Sequence, residues 1–269
     1  MTRPASWEER DLCHCWHPYT QMKQQAEFPP LVVTRARGVY LYDERGRPYL
    51  DAISSWWVNL HGHAHPRLNA ALLRQAERMS HVPFAGVTHP AAVELAEKLV
   101  ALLPPPLTRI FYSDNGSTAV EVALKLAVQY WHNRGQPERR KIASLENAYH
   151  GDTVGAMSVS RVDVFSEVFR PLLFSGPTLP APCCRTCPAG KTRGTCAGEC
   201  LVPAQAIFAA SAPELAAVIV EPLVQAAGGM NIYPPVWLDR LALLCREAGC
   251  LLIFDEVMTG FGRTGTLFA

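Results

Sequence analysis

Residues 38–54, GVYLYDERGRPYLDAIS, alternate apolar and polar side chains on either side of Asp43 to Gly46, which predicts two short antiparallel strands joined by a tight turn. A short helix or coil precedes them. From Pro66 the apolar positions change to helical spacing, through Leu68, Leu72, Ala76 and Met79, then through Val93, Leu95, Ala96, Leu99 and Leu102, until Pro104 to Pro106 stop the pattern. These stretches predict amphipathic helices packed on something larger. Beyond them, short apolar runs alternate with helical ones: RIFYS, NGSTAVEVALKLAVQYWH, KIASLENAYHG, LAAVIVEPLVQ, WLDRLALLCREAG and CLLIFDEV. Strands alternating with helices predict an α/β fold built on a mostly parallel sheet flanked by helices. VIVE and LLIFDE are continuous apolar runs, as strands covered on both faces should be. Their acidic ends then fall at the carboxyl edge of the sheet, where open α/β folds bind ligands.

Composition supports a large buried core: of 269 residues, 49% are hydrophobic and 18% charged, below the roughly 25% charged residues usual for soluble domains. With 25 Lys and Arg against 24 Asp and Glu, the formal charge of +1 gives no support to a nucleic-acid or anionic-membrane partner. The most apolar stretches, Leu215 to Val220 and Leu251 to Phe254, fall far short of the roughly 18 residues a membrane span needs. The start, MTRPASWEERD, has no apolar run ending in a small-residue cleavage site, so a soluble, cytoplasmic protein is expected. Nine cysteines in a reducing compartment read as free thiols or metal ligands before disulfides. The one compositional break, about residues 177–203, is rich in Pro, Gly and Cys and reads as a long loop or insertion.

Three positions could carry chemistry together. Gly116 and Ser117 begin a helix after a strand, so free backbone N–H groups, the Ser117 hydroxyl and the helix dipole could receive a phosphate; ordinary capping by Asn115 or Ser117 is the alternative. Tyr149, in Tyr149-His150-Gly151, could stack on a flat ring or could be a half-buried turn residue. Asp255 closes LLIFD, where a carboxylate could pair with a protonated ring nitrogen. On the first of these helices Glu121 and Lys125 have the spacing of a solvated ion pair.

Other patterns compete. LLIFDE with Gly190-Lys191-Thr192 resembles parts of a P-loop ATPase, but Arg185 stands where the phosphate loop needs glycine. Cys184 and Cys187, with Cys196 and Cys200, have the spacing of a tetrathiolate zinc site; an iron–sulfur cluster and a loop of free thiols are the alternatives. Cys245 and Cys250 read as small hydrophobes. His61, His63 and His65 read as turn and capping residues, and Trp56 and Trp57 as core or domain-interface residues.

Nearly end to end, the chain resembles the class III pyridoxal-phosphate aminotransferases. Asp255-Glu256 followed by Gly260-Phe261-Gly262-Arg263-Thr264-Gly265 resembles the general signature of that family. Trp16-His17-Pro18-Tyr19-Thr20 and Asp51-Ala52-Ile53-Ser54-Ser55-Trp56-Trp57 resemble its biotin-pathway branch, which moves the amino group of S-adenosylmethionine to 8-amino-7-oxononanoate to give 7,8-diaminononanoate. The resemblance implies the type I pyridoxal-phosphate fold, active as a homodimer. It implies that residues 1–60 contribute to a small domain and 61–269 form a cofactor-binding large domain. Gly116 and Ser117 would hold the cofactor phosphate, Asp255 the pyridine nitrogen, Tyr149 would lie by cofactor and substrate, and Tyr19 and Trp56 would line the substrate pocket. The family continues beyond GFGRTG to a Schiff-base lysine. None of Lys23, Lys98, Lys125, Lys141 and Lys191 has that place, so no catalytic residue is assigned here and residues 1–269 alone are expected to be inactive. The alternative expectation is a non-catalytic fragment or a metal-binding scaffold of the same family.

Overall fold

In the computed structural model, which describes residues 5–269, the contacts divide the chain into two units that meet at Thr108 and Arg109. In the first, helix α1 (Trp7–His14) opens with a capping box in which Ser6 and Glu9 exchange hydrogen bonds. After the short α2 (Met22–Gln25) come three antiparallel strands, β1 (Val33–Arg37), β2 (Tyr40–Asp43) and β3 (Pro48–Leu50), in spatial order 1-2-3. The expected turn at Asp43 to Gly46 is built by the Asp43 carboxylate, which accepts from the N–H groups of Arg45 and Arg47, both at 2.9 Å. A short turn, α3 (Ser54–Trp57), leads to helices α4 (Pro66–Arg78) and α5 (Pro90–Val100), which match the spacing of the apolar residues.

Contacts thus group the residues from 61 up to Thr108 with the strands before them. Backbone pairing explains part of this. Gly38 and His63 exchange N–H to carbonyl bonds of 3.0 and 2.8 Å, and His63 Nε2 lies 2.8 Å from the Asp51 carboxylate, so the segment leading into α4 is tied to the antiparallel ribbon. Helix α4 buries none of its residues, and Leu72 is 71% exposed.

The second unit holds helix α6 (Gly116–Asn133), strand β4 (Lys141–Leu145), helices α7 (Val154–Val159) and α8 (Asp163–Ser166), and strand β5 (Thr178–Leu179). Then follow α9 (Val202–Ser211), β6 (Leu215–Val220), the ribbon β7 (Val224–Gln225) and β8 (Asn231–Ile232), α10 (Pro235–Glu247) and β9 (Leu251–Phe254). The main sheet is parallel throughout, in the order β5-β4-β6-β9. This is an α/β fold, as the alternating runs predict. One run departs: RIFYS, residues 109–113, forms no strand, and Phe111 is exposed, because no strand among the described residues offers it a ladder.

Burial follows the pattern of continuous apolar strands. Every residue of β6 is buried. On one face, Leu145, Val218 and Val220 pack against Phe208 of α9 and Trp237 and Leu241 of α10. On the other, Ile142 and Ile219 pack against Val120, Leu124 and Trp131 of α6 and Ala156 and Val159 of α7. The Trp131 indole donates to the Ala216 carbonyl at 2.8 Å, fixing α6 to the central strand through a polar atom that burial would otherwise leave unsatisfied. Among the described residues no helix is long and apolar enough to cross a membrane.

Because β6 is sealed on both faces, Ile219→Ala should lower stability by roughly 2–5 kcal/mol, the cost of a cavity in a packed core. Urea unfolding measures it, and a loss below about 0.5 kcal/mol, typical of an open surface site, would contradict the packing described.

Candidate functional site

Four of the expected site residues, Gly116, Ser117, Tyr149 and Asp255, lie in the second unit, and a chain of contacts joins them. Helix α6 begins at Gly116 because Asn115 caps it: the Asn115 side chain accepts from the Thr118 N–H at 3.0 Å, and Thr118 Oγ1 accepts from the Asn115 N–H at 3.2 Å. Capping and anion binding, alternatives in the sequence, are compatible here. Asn115 takes the third N–H of the helix, and the N–H groups of Gly116 and Ser117 have no protein acceptor among the described residues. They sit at the positive end of an 18-residue helix. A Cβ at Gly116 would stand 2.8 Å from a Val257 methyl, which is why that position holds glycine.

The loop after β4 comes to the same place. Asp152 donates its N–H to Ser117 Oγ at 3.3 Å, leaving the Ser117 hydroxyl proton available to a ligand. Gly151 has φ +123°, and a Cβ there would collide with Ser117 Oγ. Tyr149 is half-buried, donates its hydroxyl to Asp152 Oδ2 at 2.7 Å and meets Phe165 edge to face at 5.7 Å. Its neighbour His150 is fully buried; the His150 N–H donates to Ser160 Oγ at 2.9 Å, and Nδ1 lies 2.7 Å from Asp255 Oδ2.

Asp255 extends β9 by one bond, its N–H donating to the Val220 carbonyl at 2.8 Å. Its Oδ1 accepts from the Val257 N–H at 3.1 Å and its Oδ2 is held by His150. A carboxylate fixed on both oxygens still has lone pairs for one more donor, such as a ring N–H.

Beside Asp255 stands Glu221, at the end of β6, to which the sequence assigned no role. Its carboxyl accepts from the N–H groups of Tyr149 and Ala226, each at 3.0 Å. Burial pushes its pKa up to about 7, opposed by His150 and the two N–H donors and assisted by Asp255. The signal was present in VIVE and LLIFD: two continuous strands ending in acids at one edge.

Tyr19 and Trp56 lie in the first unit and meet edge to face, with ring centroids 5.5 Å apart. Both are more than half exposed, so Trp56 is not a core residue. Ser54, Ser55, Trp56 and Trp57 all have φ between +47° and +68°. A left-handed conformation costs roughly 1–2 kcal/mol per such residue. Asp51 holds it, accepting from the Ser55 N–H at 2.9 Å and the Ser55 hydroxyl at 2.7 Å.

Three expectations are corrected. Glu121 does not pair with Lys125; its carboxylate accepts from the Gly155 and Ala156 N–H groups at 2.6 and 3.3 Å, because the start of α7 offers donors that are buried while Lys125 is exposed. Gly190-Lys191-Thr192 lies among turns, with Lys191 3.5 Å from Glu199, and not between a strand and a helix, which removes the ATPase reading. The zinc or iron–sulfur site expected from Cys184, Cys187, Cys196 and Cys200 is not formed: among the described residues no group of three or more His, Cys, Asp or Glu side chains could hold a metal ion. Cys184 and Cys200 pack against the core, and burial, with the neighbouring cysteine thiols adding to it, raises both thiols. The metal-binding scaffold reading goes with it. Of the lysines in this unit, Lys141 starts β4 at the opposite end of the sheet from Asp255 and pairs with Glu214 at 2.7 Å.

The class III aminotransferase family model matches residues 21–269. An adenosylmethionine-8-amino-7-oxononanoate aminotransferase of Geobacter sulfurreducens is 46% identical over 98% of this chain and 58% of its own length. The protein of that name from Synechococcus elongatus is 51% identical over 95% of this chain and 59% of its own. The crystal structure of the Methanocaldococcus jannaschii protein of that name superposes with a TM-score of 0.87 at 39% identity, over 97% of this chain and 57% of the other. An omega transaminase from Pseudomonas jessenii, in complex with PMP, gives 0.91 at 31% identity over 98% and 59%. The chain thus spans about three-fifths of the length of the relatives it matches.

The raised Glu221 pKa makes a test with a definite sign. A carboxyl with a folded pKa of about 7, against the usual 4.5, contributes stability below pH 4.5 that is lost as pH rises through 7. Glu221→Gln should remove this slope, on the order of 3 kcal/mol between pH 4.5 and 7. Denaturant unfolding of both proteins across that range checks it, and parallel pH profiles would contradict it.

Proposed function

The chain belongs to the class III aminotransferases, and from that premise we propose that the protein catalyses pyridoxal-phosphate-dependent transamination in biotin biosynthesis, transferring the amino group of S-adenosylmethionine to 8-amino-7-oxononanoate. The observation that carries the reading is the joining of a free helix start, an aromatic loop and a buried aspartate at one edge of the sheet.

The residues present fit the cofactor. The N–H groups of Gly116 and Ser117 and the Ser117 hydroxyl would hold the phosphate, and the glycines at 116 and 151 let Val257 and Ser117 pack close beside them. Asp255 would accept from the ring nitrogen, while His150 fixes the orientation of its carboxylate. Bound pyridoxal phosphate supplies the electron sink that lets an amino group leave one carbon and join another. Tyr149, held by Asp152 through its hydroxyl and by Glu221 through its N–H, would present its ring beside the cofactor.

A cleft of about 570 Å³ lies in the same unit, with Leu223, Val224, Ile232, Tyr233 and Met258 as apolar lining and Arg193 and Arg263 as cationic lining. Apolar walls with cationic groups suit a straight-chain acid such as 8-amino-7-oxononanoate. A homodimer is part of the proposal, supported by apolar positions left open on α4. A cytoplasmic location is supported by nine cysteines that form no disulfide.

The full gene product, given pyridoxal phosphate, S-adenosylmethionine and 8-amino-7-oxononanoate, should form 7,8-diaminononanoate, detected by mass spectrometry. No product, with turnover of another amine and carbonyl pair, would overturn the substrate assignment; lysine replacing S-adenosylmethionine would revise the donor. In the same protein, Ser117→Ala should weaken pyridoxal-phosphate binding by roughly 1.5–3 kcal/mol, the value of a hydrogen bond to a charged group. Equal affinity in a spectrophotometric titration would remove Ser117 from the phosphate site.

A further inference from the structure

Helix α10 ends in a motif that forces two particular side chains together, and in this chain both are cysteines. Gly249 takes φ +61°, its N–H donates to the Arg246 carbonyl at 3.1 Å, and the Cys250 N–H reaches back to the Cys245 carbonyl at 3.0 Å. These paired bonds define a Schellman closure, in which the residue after the left-handed glycine packs on the residue five positions before it. That contact is usually between two apolar side chains. Here it sets thiol against thiol, and the hydrogen bond between the same two residues keeps their backbones close enough for a covalent bridge.

The surroundings make the two sulfurs unequal. Cys245 is 2% exposed, inside the cluster formed by Trp237 and Leu241, whereas Cys250 is half-buried where β9 begins. The Arg139 guanidinium is anchored beside Cys250, donating to the carbonyls of Leu215 at 3.2 Å and Gly249 at 3.0 Å. The neighbouring Cys245 thiol, with Arg139 adding to it, holds Cys250 below the ordinary thiol range against the effect of burial. Cys245, against the Cys250 thiol and more deeply buried, is pushed up. A more exposed sulfur that favours the thiolate and a buried protonated neighbour are the attacking and resolving halves of a redox pair.

We propose that Cys245 and Cys250 are an oxidation site, closing under hydrogen peroxide into an intrachain disulfide that staples the end of α10 to the start of β9. The Cys250 thiolate attacks one peroxide oxygen, breaking the O–O bond and giving a sulfenic acid and hydroxide. The Cys245 sulfur then attacks the Cys250 sulfur; the S–S bond forms, the S–O bond breaks, and the hydroxyl leaves as water with the Cys245 proton. Two thiols are oxidised and one peroxide is reduced to two waters. The pair lies at the amino end of β9, the opposite end from Asp255, so the proposal does not depend on the cofactor site.

Arg246 separates the two cysteines, so trypsin decides the matter in the purified wild-type protein. After peroxide, alkylation and digestion, the peptides 241–246 and 247–263 should run as one linked species that reduction separates. In Cys245→Ala, the Cys250 peptide should instead carry a sulfenic acid that dimedone traps. The proposal is overturned if the two wild-type peptides are recovered apart and alkylated at a dose that oxidises the exposed Cys13, Cys15 and Cys183, or if Cys250 is linked to the cysteines of residues 183–200.

Discussion

The parallel ladder between β6 and β9 sets the chemistry of the second unit. Ala217 pairs with Leu251 and each following residue keeps register to Val220 and Phe254. The Asp255 N–H then adds one more bond to Val220, so Glu221 and Asp255 leave the sheet side by side. Two carboxyls there, in a buried environment, cannot both be charged without cost. His150 lies against one of them, and burial raises the other until it titrates near neutrality. The loop that supplies His150 is held by Glu221 through the Tyr149 N–H, and its glycine lies against Ser117 at the start of α6. Strand register, loop anchoring and the helix terminus are therefore one construction.

Much of this was legible because continuous apolar strands and a capped helix are local patterns. The run LAAVIVE specifies a strand buried on both faces, and all six residues of β6 are buried. Asn115-Gly116-Ser117-Thr118 specifies a helix start by its own side chains. Asn-x-x-Thr spacing alone does not say that two N–H groups are left over, because that depends on where the loop after β4 comes to lie.

The elements that depart from the sequence pattern share a cause: they depend on partners distant in sequence. Glu121 and Lys125 have ion-pair spacing, but α7, more than 30 residues later, brings two N–H donors to Glu121. RIFYS has the composition of a strand but no ladder. Four cysteines at metal-site spacing form no metal-holding group among the described residues, and Cys184 and Cys200 pack against the core instead. The left-handed turn at Ser54 to Trp57 has no periodic signature at all. It depends on Asp51 accepting from Ser55, and strain of this kind concentrates where a backbone is shaped for function.

The central claim is that the carboxyl edge of this sheet is a preorganised seat for a phosphorylated, ring-nitrogen cofactor. A crystal structure of the full gene product with pyridoxal phosphate tests it most directly. The account predicts the phosphate within hydrogen-bond distance of the Gly116 and Ser117 N–H groups, with the ring nitrogen on Asp255 and the bond from His150 to Asp255 retained. A phosphate bound elsewhere, or a ring nitrogen facing any group other than Asp255, would contradict it.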